Sequence, residues 1–145
     1  MVLTERRKAA MFILLLAMLL TAIVLSAGAT PSPFAQTKIK EPTDISEFLE
    51  SFDWTCDLTA LTEQKTVLPQ QFDDTFIAYN AIQLQQGCDL SRYAGKEATV
   101  YTLPITNYPD YTGNVLATVL VYRGRIIGGD IHAAAMDGFI HGFKK

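Results

Sequence analysis

Residues 115 to 122 read Val-Leu-Ala-Thr-Val-Leu-Val-Tyr, and no other stretch limits the fold of this chain so strongly. β-Branched and aromatic side chains suit a pleated surface. Alternation puts Val115, Ala117, Val119 and Val121 on one face and Leu116, Thr118, Leu120 and Tyr122 on the other. Both faces are mainly apolar, so a central strand with cover on both sides is expected. Arg123-Gly124 follows, then Arg125-Ile126-Ile127. A two-residue loop with glycine second fits a primed hairpin turn, although arginine suits the first position less well than Asn or Asp. Gly128-Gly129 then interrupts the returning strand, as at a bulge or a close backbone approach.

The segments before the hairpin supply its neighbours. Ile45, Phe48, Leu49 and Phe52 fall at i, i+3, i+4 and i+7, one apolar helical stripe. Asp44 with Glu47 three residues on reads as a capping box opening that helix. Glu63 to Leu68 reads as a strand stopped by Pro69. Pro69 to Gly87 is the longest helical pattern, with Phe72, Phe76, Tyr79 and Ile82 or Gln83 in one stripe, and Gly87 is suited to end it. Glu97 to Asn107 is the next strand, where Pro104 marks an edge or bulge. The expected class is α+β: a small antiparallel sheet of about four strands with two helices packed on one face, preceded by one N-terminal transmembrane helix.

That last expectation rests on the start of the chain. Met1 to Lys8 ends in Arg6-Arg7-Lys8, and Ala9 to Ala29 carries no charge. About 20 apolar residues span a bilayer core, and basic residues before them place the N-terminus in the cytoplasm. The expected layout is a cytoplasmic basic tail over residues 1–8, a transmembrane helix over 9–29, a proline-bearing linker over 30–43 and an extracytoplasmic α+β domain over 44–145. The alternative is a signal peptide cleaved after Ala27-Gly28-Ala29, which gives a secreted protein. In either case the folded part is exported. The chain has net charge −3; beyond residue 29 it has nine basic and fourteen acidic residues, a balance of −5. That balance argues against nucleic acid, whose phosphates need clustered Lys and Arg, and against anionic lipid head groups.

A series of short motifs adds a family resemblance. Ile45-Ser46-Glu47-Phe48-Leu49-Glu50-Ser51-Phe52-Asp53-Trp54, Pro69-Gln70-Gln71-Phe72, Tyr79-Asn80, Gln86-Gly87-Cys88-Asp89-Leu90-Ser91, Tyr93-Ala94-Gly95-Lys96, Tyr108-Pro109, Val121-Tyr122-Arg123-Gly124-Arg125-Ile126-Ile127-Gly128-Gly129-Asp130 and Asp137-Gly138-Phe139-Ile140-His141-Gly142-Phe143 resemble, in this order, domain of unknown function 4830. The resemblance implies a small exported α+β domain behind a membrane anchor in a Firmicutes-type bacterium. It brings no catalytic residue with it. His132 lies outside the family's pattern.

Few residues are arranged for chemistry. Asp130, His132, Asp137 and His141 lie within a dozen positions. Carboxylates and imidazoles of this kind bind metals or exchange protons, but the spacing matches no metal motif. Hydrogen-bonded turn residues explain them as well. Tyr108 and Tyr111 lie near turns, where exposed tyrosines mark contact surfaces. Asp130, Asp137, His141, Tyr108 and Tyr111 are therefore the candidate binding residues; no cofactor, metal ligand or catalytic residue is expected. Cys56 and Cys88 are the only cysteines. An exported pair can form a disulfide, and the alternative is two small buried apolar side chains. The function expected is a membrane-tethered, non-enzymatic binding or interaction module at the bacterial envelope, with the membrane and an envelope protein as partners. The alternative is an envelope-acting hydrolase or metal-binding protein using Asp130, Asp137 and His141.

Overall fold

The hairpin forms as its residues require. In the computed structural model, which describes residues 33–145, strands β1 (Thr62–Val67), β2 (Glu97–Ile105), β3 (Val115–Tyr122), β4 (Arg125–Ala133) and β5 (Ile140–His141) form one sheet. Their order is β1-β2-β3-β4-β5, and every pair is antiparallel. Arg123 and Gly124 take φ of 49° and 71°, the type I′ geometry whose twist matches the flanking strands. The sheet thus has five strands where about four were expected; the fifth spans two residues, too few to show a period in sequence. Pro104 lies beyond the end of β1, and its carbonyl accepts a hydrogen bond from Asp57 N at 3.0 Å. The missing N–H therefore falls on the stretch of β2 that β1 does not pair.

Helices α1 (Pro42–Glu50) and α2 (Asp74–Gln85) complete the domain. They cover opposite faces of the sheet, not one face as expected. Ile45, Phe48 and Leu49 of α1 join a core with Leu103, Ile105, Val115, Ala117, Val119, Val121, Ile126 and Ile131. Phe76 and Tyr79 of α2 join a second core with Leu90, Ala98, Leu120 and Ile127. Val119 and Leu120 are successive residues of one strand, so their side chains leave opposite faces. The physical reason is the two-sided apolar pattern of β3: a second face carrying Leu120 and Tyr122 must be covered too.

The α1 start also differs from its sequence reading. The helix begins at Pro42, whose fixed φ suits a first turn. Asp44 lies within that turn, and its Oδ2 accepts from Lys40 N at 2.6 Å and Glu41 N at 2.9 Å. Residues 33–41, expected within the spacer, lie against the domain instead. Ile39 N donates to Gly124 O at 2.9 Å, and Arg125 Nη1 donates to Ala35 O at 2.6 Å. Phe34 meets Phe48, Phe52 and Phe143 edge-on at 5.3, 5.7 and 5.5 Å. Phe34 and Ile39 carry enough apolar surface to dock among the prolines. The basic tail over 1–8, the apolar run over 9–29 with its cleavage alternative, and residues 30–32 lie outside the described residues. Among the described residues no helix is long and apolar enough to cross a membrane.

Gly128-Gly129 is both a bulge and a close approach. The β3–β4 register slips between Leu120, opposite Gly128, and Val121, opposite Ile126, leaving Ile127 without a partner. Ile126 and Ile127 can then enter different cores. Gly129 has φ of 150°, and a Cβ there would lie 2.1 Å from Thr118 O and 2.4 Å from Phe143 Cζ. Gly129→Ala is expected to cost about 3–5 kcal/mol, backbone strain and overpacking together. Gly124→Ala, whose Cβ would come no closer than 3.5 Å to Ile39 O, is expected to cost only about 1–2 kcal/mol for its left-handed backbone. Urea denaturation of the two variants checks the difference.

Candidate functional site

On the α2 face, β4 alternation brings Asp130 and His132 together. Asp130 is buried. Its Oδ2 accepts from Tyr79 Oη at 2.6 Å, and its Oδ1 lies 2.7 Å from His132 Nδ1. A carboxylate only accepts, so this imidazole carries its proton on Nδ1. The Asp130 hydrogen bond raises the His132 pKa above its ordinary value of 6.5, against an opposing push from burial. Burial, helped by the Asp130 charge, raises the Tyr79 pKa well above its ordinary value, so Tyr79 stays a donor. A carboxylate holding Nδ1 prepares an imidazole for proton exchange or ligation. Among the described residues no group of three His, Cys, Asp or Glu side chains could hold a metal ion.

His141 belongs to the other face. It pairs with Ile131 in the β4–β5 ladder, and directly paired residues point the same way. Its Nδ1 lies 2.6 Å from Gly142 O and its Nε2 lies 3.0 Å from Tyr108 Oη. A carbonyl only accepts, so Nδ1 carries a proton, and in that tautomer Nε2 accepts from Tyr108. Tyr108 is itself stacked between Trp54, 5.4 Å away at 3° between planes, and Phe139, 4.5 Å away at 18°. Tyr111 meets Phe139 edge-on at 5.2 Å. Lys145 Nζ sits 4.6 Å from the Trp54 ring and donates to Asp53 O at 3.0 Å. The two tyrosines are thus joined to His141 in one aromatic column that holds the C-terminal residues down.

The sheet therefore separates Asp130 from His141, and the acid–imidazole set read from sequence is not assembled. Asp137 lies exposed in the turn after β4. The imidazole that Asp130 does meet, His132, was outside the candidate set, although i, i+2 spacing on a strand carried that signal. No disulfide joins Cys56 to Cys88. Cys56 lies at the edge of the α1-side core, bridged to Ile105. Cys88 follows α2, with its N–H on Gln83 O at 2.9 Å. Cys56 thus belongs to the α1 side of the sheet, and Cys88 lies near Tyr79 on the α2 side.

A cleft of about 410 Å³ is lined by Pro33, Phe34, Ile82, Gln85, Gln86, His141, Gly142 and Lys144. Gln86 in its wall fills a gap in the β4–β5 ladder. The β4–β5 register would next place Gly129 opposite Phe143. Gln86 stands between them instead, its Nε2 donating to Gly129 O at 2.7 Å and its Oε1 accepting from Phe143 N at 3.0 Å. Gln83 Oε1 accepts from Gly129 N and Gln86 Nε2, both at 2.8 Å. Gln83 Nε2 is buried with no hydrogen-bond partner among the described residues. With Gln86 and His141 committed, Gln85 and Lys144 are the lining side chains left to meet a ligand. Sequence reasoning missed the cleft entirely: it offered Gln83 only as an alternative to Ile82 in the helical stripe and gave Gln86 no structural part.

A family model described as Domain of unknown function (DUF4830) matches residues 48–131. The matched span holds Tyr108, Tyr111 and Asp130 and stops short of His132, Asp137 and His141. No curated protein and no solved structure matches the chain.

Two outcomes follow from this geometry. Folded His132 holds its proton more tightly than unfolded His132, so its contribution to stability is complete below the ordinary imidazole pKa. That contribution fades as pH rises through the raised folded value. The urea midpoint is therefore expected to fall between pH 6 and pH 8, and His132→Gln is expected to flatten that change. Gln86→Leu strands Gly129 O and Phe143 N at once and is expected to cost about 2–5 kcal/mol in the same assay at either pH.

Proposed function

This chain belongs to the DUF4830 family, and we propose that it is a membrane-tethered extracytoplasmic binding module of a bacterial envelope. The cleft beside Gln86 carries this reading. Its walls combine an apolar side, Pro33, Phe34 and Ile82, with an amide from Gln85 and an ammonium from Lys144. A concave site with apolar walls and a few polar groups is the usual form of a small-ligand pocket. Its chemistry suits a small envelope molecule, or a chain end, that has an apolar part and one anionic group. The tether is supported by the uncharged run from Ala9 to Ala29 behind Arg6-Arg7-Lys8. The family resemblance supports a Firmicutes-type host. The hydrolase reading finds less support, because Asp130 and His141 lie on opposite faces of the sheet.

The test has two arms. A tag fused behind Lys145 is expected to be reached by protease added to intact protoplasts; a protected tag overturns export. For the cleft, small-molecule fractions of the envelope are tested for a rise in thermal midpoint of the full chain in detergent. A ligand at about 100 times its Kd adds about 2.7 kcal/mol, which is several degrees for a domain of this size. Lys144→Glu and Gln85→Trp are expected to abolish the rise without lowering the unliganded midpoint, since both side chains are exposed. No rise with any fraction, or one that both variants keep, removes the cleft from the proposal.

A further inference from the structure

Helix α2 is apolar on the wrong side as well as the right one. Tyr79 and Gln83 face the sheet, yet Ile77 and Leu84 on the outer surface are 55 % and 56 % exposed, with Ala81 exposed between them at helical spacing. From Thr75 to Gly87 there is no charged residue; the acids Asp73 and Asp74 lie at the far end. A helix that carries apolar residues all round has a second surface to cover.

The path of the chain says what covers it. Pro33 packs at the C-terminal end of α2, where its ring atoms would lie 3.2 and 3.3 Å from a Cβ on Gly87. Only residues 30–32 separate Pro33 from the end of the uncharged run. Four links of extended chain reach at most about 14 Å. The expected 14-residue spacer is mostly docked on the domain, so it cannot lift the domain away from a bilayer that holds residues 9–29. We propose that the outer face of α2, with Leu84 deepest and Ile77 behind it, rests on the lipid surface of the extracytoplasmic leaflet. This inference rests on the tether reading above. Two exposed aliphatic side chains bind lipid weakly alone, but a tether this short makes the contact intramolecular and raises its effective concentration into the range of about 1 mM or more. The balance of −5 beyond residue 29 turns the rest of the surface from anionic head groups, whereas the uncharged α2 face meets zwitterionic or neutral lipid without repulsion.

The test uses the full chain in its own membranes, with the photoreactive substitution Leu84→benzoylphenylalanine. Adducts are identified by mass after irradiation, and alkaline carbonate extraction is run on the same membranes. Gln36→benzoylphenylalanine, exposed and three residues from Pro33, controls for nearness to the tether alone. The expected result is phospholipid adduct at Leu84 at least about tenfold above Gln36, an intermediate yield at Ile77 and a chain that resists carbonate. Equal lipid yield at Leu84 and Gln36, or Leu84 adducts to a second copy or another protein, in a carbonate-resistant chain overturns the lipid contact and leaves the tether standing. Release of the chain by carbonate overturns the tether, and the lipid contact with it.

Discussion

Everything in this domain converges on the peptide of Gly129. Its N–H is held by Gln83 and its carbonyl by Gln86, both from α2. Its Cα lies against the Phe143 ring, which packs with Phe34, Phe48 and Phe52 in the core under α1. One residue without a side chain thus joins the two layers that the sheet otherwise keeps apart. A buried backbone amide must find partners. Here β5 ends before it can supply them, so two side-chain amides take the place of a strand. The bulge at Ile127, the docking of the C-terminal residues and the cleft above them all depend on that substitution.

Much of this was legible in the sequence. The two-sided pattern of β3, the primed turn at Arg123-Gly124 and the special role of Gly128-Gly129 follow from residue types alone, because local sterics and burial fix them. The same β3 pattern contradicted the expectation of both helices on one face: Leu120 and Tyr122 already required a second cover. Gln83 and Gln86 were not legible. The helical stripe offered Gln83 only as an alternative to Ile82 and left Gln86 outside it; only a backbone lacking its strand partner turns both into structural bonds. Phe34 and Ile39 were hidden in another way, by prolines that give a docked segment the composition of a spacer.

The polar residues divide along the same line. Asp130 and His132 meet because spacing of two on a strand is a local rule, visible before any tertiary contact is known. His141 and Tyr108 meet across 33 positions, through a stack that also needs Trp54 and Phe139, and no local period announces such a partnership. The alternative read from sequence had grouped Asp130 and Asp137 with His141. Strand parity, which puts Asp130 opposite Thr118 and His141 opposite Ile131, decides against it.

Trp54 is the only tryptophan of the chain; it stacks on Tyr108, lies 4.6 Å from the ammonium of Lys145, and its Nε1 donates to Phe143 O at 2.6 Å. The molecule therefore carries a built-in optical gauge. Its tryptophan emission comes from one indole whose surroundings are set in part by Phe143 and Lys145, so release of those residues recolours the fluorescence. Trimming by a carboxypeptidase could be followed in real time with no added dye.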